Sequence, residues 1–433
     1  MKFSQFNIWA SIGDEFVLFN TLTGALATFE SCYQESIQRA LVSGTAQEIS
    51  TEFLDDMIED GYIVEDDADE LNSIRIARED RRSRTDEFSL CITLNKKCIF
   101  GCPYCFQVHD GKKLSEDGKI KIVQMFDAIS LRAKKIDMDW FGGEPLLSLN
   151  DMKKMNDWFI NVSKERGVQY SYSITTNGYL LTDDVIEYLQ QEKPSRVVVT
   201  LDGPPDVHDL SRPLKKGGKT FWVILGNIKK AVASGLNVTV RVNISSQNVK
   251  RIPELFDLLE EQGLKNLVNV DLQAVVSSEA NPYEEYCLTG HDLAHSVLSI
   301  CLIEAKKGWI VFPPIEEVRG LGFCVGEYPN RFIFDLDCNI YRCTQMAEGD
   351  SIGRILDGGR IELDQKANAF WVDKDPLSFD ECRTCAFLPV CMGGCNMKRF
   401  QKDSSQYCVD RKYDIPTFLE VLLLNEENLS LLK

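Results

Sequence analysis

Positive charge is scarce in this sequence. Its 433 residues include 48 Lys and Arg against 66 Asp and Glu, so the formal net charge is −18. Proteins bind nucleic acid mainly by neutralising phosphates with Lys and Arg. The deficit of positive charge therefore argues against a general DNA- or RNA-binding role.

Long apolar runs and a secretion signal are also absent. No uninterrupted apolar run reaches the roughly 18 residues that a transmembrane helix needs. The N-terminal stretch MKFSQFNIWASIGDE has one Lys, no sustained apolar core and acidic residues from position 14, unlike a secretory signal. We therefore expect a cytoplasmic protein that has neither membrane nor nucleic acid among its partners.

Cysteine, by contrast, is abundant. Of the 15 cysteines, 11 fall into two groups and four stand alone. In a reducing compartment, clustered cysteines indicate metal sites or catalytic thiols before disulfides. The first group is Cys98, Cys102 and Cys105, the second contains the eight cysteines from Cys324 to Cys408, and the isolated ones are Cys32, Cys91, Cys287 and Cys301.

Residues 1–85 have the pattern of a small separate module. Two alternating stretches around Gly13 predict a β-hairpin, and two helical stretches follow, so we predict a winged-helix-like domain. The segment has 7 Lys and Arg and 17 Asp and Glu, a charge of −10, which disfavours DNA and favours peptide docking. The basic run at 75–84 is interpreted as a solvated linker.

Residues 86–310 alternate short β-rich runs with helical segments. Such alternation predicts a parallel sheet with right-handed crossovers, and six units predict an α/β fold built as a partial (β/α)6 barrel. Chemistry is then expected at the carboxyl ends of the strands. Residues 311–433 are rich in Cys, Gly and turns and end in a predicted helix at 416–432. The predicted barrel strands are 88–94, 135–141, 169–176, 196–202, 238–245 and 268–276.

The first cysteine group is a C-x3-C-x2-C loop directly after the first barrel strand. Three thiolates can hold three corners of a cubane iron–sulfur cluster, which leaves the fourth iron open to chelate another molecule. Structural zinc is the alternative, but it needs four ligands and His109 is the nearby candidate.

With Tyr104 before its third cysteine, this loop resembles the signature of the radical S-adenosylmethionine (SAM) superfamily. Further motifs of that family follow the next strands in order, at 142–145, 175–178 and 201–203. The resemblance implies that the Cys98, Cys102 and Cys105 cluster binds SAM, with Gly142, Gly143 and Glu144 around its amino group. Arg241 and Asn243 would contact the methionine carboxylate and ribose. The complete set of expected cofactor-binding residues is Tyr104, Gly142, Gly143, Glu144, Asn177, Asp202, Arg241 and Asn243.

The second cysteine group resembles the SPASM extension, which implies two auxiliary [4Fe-4S] clusters. A pair of zinc ribbons would use the same CxxC spacing and is the alternative. Carried over by position, the outer cluster is assigned to four cysteines and the inner one to three. These are Cys382, Cys385, Cys391 and Cys408 for the outer cluster, and Cys324, Cys343 and Cys395 for the inner cluster.

Cys338 and two histidines leave several interpretations open. Cys338 either supplies a fourth ligand to the inner cluster, is a buried free thiol, or leaves an open iron for a substrate thiolate. His109 and His208 invite an acid–base role near the active rim, against the simpler interpretation as surface histidines in turns.

The resemblance implies reductive cleavage of SAM to a 5′-deoxyadenosyl radical, with electrons from a donor such as flavodoxin or ferredoxin. SPASM proteins mostly act on peptides. The long segment before Cys98 resembles leader-peptide recognition modules, and Thr344 stands where formylglycine-forming relatives carry an Asp base. We therefore expect an intramolecular oxidative crosslink, thioether or carbon–carbon, in a ribosomally synthesised precursor peptide.

Other functions remain open at this stage. The chain could be an anaerobic sulfatase-maturating enzyme that forms formylglycine from Cys or Ser. It could also be a catalytically inactive peptide-binding metalloprotein or a zinc-stabilised binding protein. Catalytic residues that carry acid–base chemistry are not assigned.

Overall fold

The computed structural model describes residues 1–46, 49–277, 283–311, 321–346, 349–397 and 408–432. They form two compact units, each discontinuous in sequence. The first unit consists of Met1–Ser83, Thr289–Val325 and Lys374–Lys433, and the second of Arg84–Leu288 and Gly326–Asp373. The division into three consecutive domains at 85 and 310 stays a prediction.

The strands of the described residues alternate with helices in the second unit and cluster at the N-terminus of the first. They are β1 Lys2–Phe3, β2 Asn7–Ile12, β3 Glu15–Asn20, β4 Leu26–Glu30, β5 Ile63–Val64, β6 Glu87–Thr93, β7 Lys135–Phe141, β8 Gln169–Thr176, β9 Arg196–Thr200, β10 Val238–Ile244, β11 Asn269–Ala274, β12 Arg331–Phe334, β13 Asn339–Tyr341, β14 Gly353–Ile355 and β15 Ile361–Leu363.

The α-helices of the same residues range from one turn to five. They are α1 Ser31–Ser43, α2 Thr51–Glu59, α3 Glu70–Ser83, α4 Glu116–Ser130, α5 Leu149–Arg166, α6 Asp183–Glu192, α7 Pro205–Ser211, α8 Phe221–Ala233, α9 Ile252–Glu261, α10 Gly290–Lys306, α11 Gln365–Val372, α12 Asp380–Arg383, α13 Leu388–Cys391 and α14 Ile415–Leu432. None of these described helices has the length and apolar character of a membrane span.

The second unit contains the predicted parallel sheet. Strands β6 to β11 lie side by side in chain order and all pair in parallel, which confirms the partial barrel and its six strands. Parallel β12 continues the sheet beyond β6, and three short antiparallel strands follow it. These last four strands are three or four residues long, too short to give a period in the sequence.

Strand β7 shows that the sheet has two different faces. Its residues alternate between buried and half-buried positions. Trp140 on one face lies parallel to Phe159 of α5, with ring centroids 6.0 Å apart. On the other face, Asp137 and Asp139 accept hydrogen bonds from serines of β8. The apolar face thus holds the crossover helices, while the polar face lines the barrel interior.

The first unit confirms the predicted N-terminal hairpin. Strands β2 and β3 pair antiparallel from Asn7↔Asn20 to Ile12↔Glu15, and β4 adds a third strand on the other side of β3. Gly13 in the turn has φ 57°, a left-handed conformation that glycine adopts without steric cost. The two predicted helices follow as α1 and α2.

The interpretation of residues 75–84 as a solvated linker is correct in that none of them is buried, but wrong in that most of them are helical. Most of this run lies in α3, where Ile74 is buried in a cluster with Phe6 and Leu377. Arg78 donates a hydrogen bond to the Lys374 carbonyl oxygen. Leu71 and Ile74 are three residues apart and therefore share one face of the helix. This apolar stripe is hard to recognise in the sequence because charged residues surround it.

A second apolar cluster of this unit joins the N-terminal sheet to the C-terminal helix. Phe19 of β3 meets Phe418 of α14 edge to face, with centroids 6.1 Å apart, and Leu419 and Leu422 pack in the same cluster. Residues 1–83 therefore share their core with residues of the C-terminal segment.

We expect Phe418→Ala to lower the free energy of unfolding of the first unit by about 3–5 kcal/mol, because it empties a fully buried aromatic site. Leu431 is 84% exposed, so Leu431→Ala is the matched control and should change stability by no more than about 0.5 kcal/mol. Urea unfolding followed by circular dichroism measures both. Equal stability of the two variants would contradict the shared core.

Candidate active site

The first cysteine group lies in the loop between β6 and α4, at the carboxyl end of the barrel sheet. Burial raises the pKa of the Cys98 and Cys105 thiols and raises the pKa of Cys102 to about 12. The sulfurs of Cys105 and Cys98 also contribute to the shift at Cys102, so the three thiols lie close together. Binding a metal here must release thiol protons, as cysteine ligands are thiolates.

The buried Arg212, which sequence analysis did not single out, favours the release of these protons. Arg212 lowers the pKa of all three cysteines. Burial alone would lower the pKa of its guanidinium, but the neighbouring Tyr104, Cys102 and Asp202 raise it. A positive charge beside three thiols favours thiolates, so the donor set fits an iron–sulfur cluster.

Two glycines bring the next strand end against this loop. A Cβ on Gly142 would lie 2.6 Å from the Asn95 oxygen, and one on Gly143 would lie 2.3 Å from the Lys97 oxygen. Gly142 also has φ 133°, which L side chains rarely adopt. Only glycine permits this backbone approach. The Gly-Gly pair therefore forms a wall of the cluster loop.

Glu144, the next residue, is fully buried. Its carboxylate accepts hydrogen bonds from Thr176 Oγ1 at 2.7 Å and from the Asn177 backbone N–H at 2.8 Å. Burial raises its pKa, and these hydrogen bonds oppose the shift. The Asn177 amide reaches Cys98 Sγ at 3.8 Å. The ends of β7 and β8 are thus connected to the cluster loop.

Asp202 connects the loop to the following two strands. Its buried carboxylate accepts hydrogen bonds from the Tyr104 hydroxyl and, at 2.9 Å, from the Asn243 backbone N–H. Arg212 Nη1 donates to Tyr104 Oη at 2.8 Å and lies 4.0 Å from Asp202. Burial raises the pKa of Asp202, while Arg212 lowers it.

Backbone pairing fixes the loop from its exposed side. Gly101 N–H donates to the Pro213 oxygen at 2.8 Å, and Lys215 N–H donates to the Ile99 oxygen at 2.9 Å. We call residues 212–215 the clamp, because they hold the cluster loop by both backbone and side chains. The signal for the clamp in the sequence is weak, since it is one basic turn after α7.

Neither of the two histidines near the rim is a fully exposed surface residue. His208 is fully buried, and its Nδ1 accepts the Asp202 backbone N–H at 3.2 Å. Burial lowers its pKa well below the usual range, so this imidazole is neutral and supports Asp202. His109 is half-buried, with Nε2 3.3 Å from Cys105 Sγ.

The backbone of Arg241, an expected SAM contact, accepts a hydrogen bond from Leu201 N–H at 2.9 Å, while its side chain turns to the neighbouring strand. Arg241 sits on β10 opposite Asp271 of β11 and forms an ion pair with it at 2.9 Å. The neighbouring Asn243 does join the network, with its amide 3.2 Å from Tyr104 Oη.

The four cysteines assigned to the outer auxiliary cluster are brought together in the first unit. Burial raises the pKa of Cys391, and Cys408 and Cys382 add to that shift. Lys412 Nζ lies 3.5 Å from Cys408 Sγ, and both Cys385 and Cys408 raise the pKa of this lysine. The grouping provides four thiols and one cation.

The cysteines assigned to the inner cluster belong to different units. Cys324 and Cys395 are in the first unit and Cys343 is in the second. Cys338 is buried, with its Sγ 3.8 Å from the Gly118 oxygen at the start of α4. Their roles as ligands remain predictions. In the described part of the chain, no three Cys, His, Asp or Glu side chains are arranged to hold a single metal ion.

Comparison with known proteins defines the class. Residues 92–259 match the family model of the radical SAM superfamily, and this range contains the cluster loop, the Gly-Gly-Glu wall and Asp202. Residues 92–259 therefore form a radical SAM domain, and the protein is an enzyme of the kind that uses a [4Fe-4S] cluster together with SAM.

Among curated proteins, it is related to the sulfatase-maturating enzymes. It is 25% identical over 323 residues to the serine-type anaerobic sulfatase-maturating enzyme of Klebsiella aerogenes, covering 69% of this chain and 76% of that protein. It is 24% identical over 249 residues to the radical SAM cyclopropyl synthase TigE of Paramaledivibacter caminithermalis, covering 49% of this chain and 52% of TigE.

Solved structures share the fold. Native anSMEcpe with bound AdoMet and Cp18Cys peptide has a TM-score of 0.59 at 17% identity, over 80% of this chain and 99% of that one. Streptococcus suis SuiB bound to precursor peptide SuiA has a TM-score of 0.53 at 14% identity, over 95% and 99% respectively.

The glycine wall gives a direct test of the site. Gly143→Ala places a methyl group against the Lys97 carbonyl, so the cluster loop must shift, and we expect about four fewer irons per reconstituted protein. The control is Gly226→Ala on α8, where a Cβ meets nothing within 4 Å. Iron analysis and circular dichroism check the outcome; full iron content in Gly143→Ala would contradict it.

Proposed function

We propose that this protein installs an oxidative intramolecular crosslink in a ribosomally synthesised precursor peptide. The observation that carries the proposal is the second thiol group: Cys382, Cys385, Cys391 and Cys408 lie together in addition to the cluster loop. The names of relatives support a peptide substrate. TigE is a cyclopropyl synthase, SuiB binds a precursor peptide, and anSMEcpe binds a peptide together with AdoMet.

In this proposal Cys98, Cys102 and Cys105 hold the [4Fe-4S] cluster. When bound, the cluster and SAM supply a 5′-deoxyadenosyl radical that abstracts hydrogen from an unactivated carbon. The residues of the chain would position SAM and the peptide and would exclude water. Glu144 and Asn177, near Cys98, would bind the amino group of SAM, and Asn243, 3.2 Å from Tyr104 Oη, would contact its carboxylate or ribose. Asp202 and Arg212 hold Tyr104 in place by hydrogen bonds.

Two auxiliary [4Fe-4S] clusters complete the proposed cofactor set. Cys382, Cys385, Cys391 and Cys408 would hold the outer cluster, and Lys412 would balance part of its negative charge. Cys324, Cys343 and Cys395 would hold the inner one, with Cys338 as its proposed fourth ligand. Flavodoxin or ferredoxin would supply electrons.

The proposed metal content has a clean test in the first group. Replacing Cys98, Cys102 and Cys105 together by Ala should remove about four of roughly 12 irons and abolish deoxyadenosine formation. The control is Cys32→Ala, an exposed isolated cysteine, which should keep both. Iron analysis and chromatography of SAM products decide this. Stoichiometric zinc with little iron would overturn the cluster assignment.

Crosslinking is preferred over formylglycine formation because of Thr344. Formylglycine formation requires removal of a side-chain proton as well as a hydrogen atom, and the relatives' Asp base is replaced here by Thr344. Loss of general-base catalysis typically costs about 100–10,000-fold in rate. The second candidate nevertheless has support, because the chain is related to serine-type and cysteine-type sulfatase-maturating enzymes.

Mass spectrometry of a cognate precursor after turnover distinguishes the two reactions. Joining X–H and Y–H into X–Y removes two hydrogens per bond, and we expect this loss without aldehyde reactivity. Hydrazide capture is the second readout. An aldehyde at a former Cys or Ser position would instead assign formylglycine formation.

The N-terminal sheet is the proposed site for the leader peptide. Among the described strands, β4 is paired on one side only, and an extended peptide can add to such an edge. The charge of −10 over residues 1–85 favours a basic leader. Deleting residues 1–85 would expose the shared core around Phe418 and so is a poor test. A substitution confined to the strand edge is better.

Thr28→Pro is that substitution. Asn20 N–H donates to the Ala25 oxygen at 2.9 Å, so these two residues form a hydrogen-bonded pair between β3 and β4. Hydrogen-bonded and non-hydrogen-bonded pairs alternate along an antiparallel ladder. Ala27 and Phe29 therefore bond to β3, while the N–H of Thr28 points away from it. Proline there removes one outward donor and is tolerated at an edge. We expect weaker precursor binding, by about fivefold or more, and unchanged uncoupled SAM cleavage.

Thr28→Val keeps the N–H and is the matched control. Calorimetric titration with the full precursor measures the affinity of both variants. Equal precursor affinity for Thr28→Pro and Thr28→Val would rule out addition of the leader to β4.

A further inference from the structure

Lysines are concentrated around the cluster loop in a chain that is otherwise acidic. Five exposed lysines form what we call the lysine patch, and half-buried Lys96 and Lys97 lie within the loop itself. The carboxylate of Asp110 pairs with one of the five at 3.2 Å, which still leaves the patch strongly positive. The patch consists of Lys112, Lys113, Lys215, Lys216 and Lys219.

The patch is assembled from two segments that flank the cysteines. Asn95 and Lys113 form an isolated β-bridge, and Lys96 N–H donates to the Lys112 oxygen at 2.9 Å. On the other side, Phe100 and Leu214 form a second bridge, which places the lysines of 215–219 next to the loop. Two separate parts of the sequence thus present their positive charge at the same place.

A short contact chain connects this patch with the cluster ligands. Lys215 Nζ lies 3.4 Å from His109 Nδ1, and His109 Nε2 lies 3.3 Å from Cys105 Sγ. A lysine ammonium can only donate, so His109 Nδ1 is the acceptor in its contact with Lys215. One imidazole ring separates the exposed lysine from a cluster cysteine.

The two sides of the cluster loop differ in what can reach them. Tyr104, Asp202 and Asn243 occupy the inner side, where SAM and a substrate must meet. The outer side carries the lysine patch and exposed Val108, which is 54% accessible. An apolar centre with a charged rim is the usual make-up of a protein interface. A protein that only delivers an electron needs to approach the sulfur ligands and nothing further.

We propose that the lysine patch is the docking surface for an acidic one-electron donor protein, which approaches Cys105 through His109. This rests on the proposed cluster at Cys98, Cys102 and Cys105. The donor would give up one electron, which the bound cluster would accept, and no bond would be made or broken. The contact would be small and transient, as in other electron-transfer complexes. The net charge of −18 repels such donors elsewhere, so the patch selects the orientation.

The test compares two charge-reversed variants of the reconstituted full chain. Lys216→Glu with Lys219→Glu alters the patch but spares Lys215. Lys164→Glu with Lys229→Glu changes the net charge equally at exposed positions near the carboxyl ends of α5 and α8. The probe is a reduced acidic flavodoxin under anaerobic stopped flow, with cluster bleaching as the readout. Reduced methyl viologen, a small cation, serves as the donor that needs no docking.

We expect the patch variant to be reduced by flavodoxin at least about tenfold more slowly at low ionic strength, with the difference shrinking as salt screens it. The rate at which flavodoxin reduces the control variant should differ from that of the unmodified protein by less than about twofold. Viologen should reduce all three proteins at the same rate. Equal flavodoxin rates in the two variants would overturn the proposal. So would an unchanged flavodoxin rate combined with weaker precursor binding, because the patch would then serve the peptide.

Iron content separates failure of this proposal from failure of the proposed function. A protein that binds no iron lacks the cluster on which the proposed function rests. A protein with a full cluster that viologen bleaches, yet with flavodoxin rates insensitive to the patch, keeps the proposed function and loses only the docking surface.

Discussion

The site depends on the buried Asp202 carboxylate and its hydrogen bond from Tyr104. An unpaired buried carboxylate is costly, and here the cost is met by Tyr104, by the Asn243 backbone and by the charge of Arg212. These partners come from the cluster loop, from β10 and from the clamp. The carboxylate can remain buried only while all of them are in place. It therefore fixes the loop with its three thiols relative to the strand ends.

The same partners set the electrostatics of the cluster loop. Three buried thiols resist ionisation, and Arg212 favours their thiolate forms. The guanidinium thus balances Asp202 and prepares the thiols for iron. The second thiol group also has a cation beside it, since Lys412 lies next to Cys408. In both places a cation lies beside the cysteines.

Much of the barrel could be predicted from sequence. The runs 135–141 and 169–176 coincide with β7 and β8, because a strand between polar turns leaves a clear pattern. The strands β12 to β15 could not be predicted, because three or four residues carry no period. Helix α3 was mistaken for a linker, since its stripe of Leu71 and Ile74 is hidden among charged residues.

The candidate site was predictable where motifs are contiguous and unpredictable where contacts are made in space. The three loop cysteines, the Gly-Gly-Glu turn and Asp202 follow strands and could be read in order. Arg212 and His208 gain their roles only through burial beside Asp202, which no local pattern shows. Arg241 forms an ion pair with Asp271, which could not be predicted because the adjacent strand places that carboxylate directly opposite it. Its contact with SAM stays a prediction.

In the proposed site, Cys98, Cys102 and Cys105 hold a cluster with one iron left open for SAM. The most direct measurement is electron paramagnetic resonance of the anaerobically reconstituted, reduced full-length protein, recorded with and without SAM. We expect SAM to shift the signal of one cluster, and we expect this signal to be missing when the three cysteines are replaced by Ala. A spectrum that SAM leaves unchanged, or that survives the triple replacement intact, would contradict the proposed site.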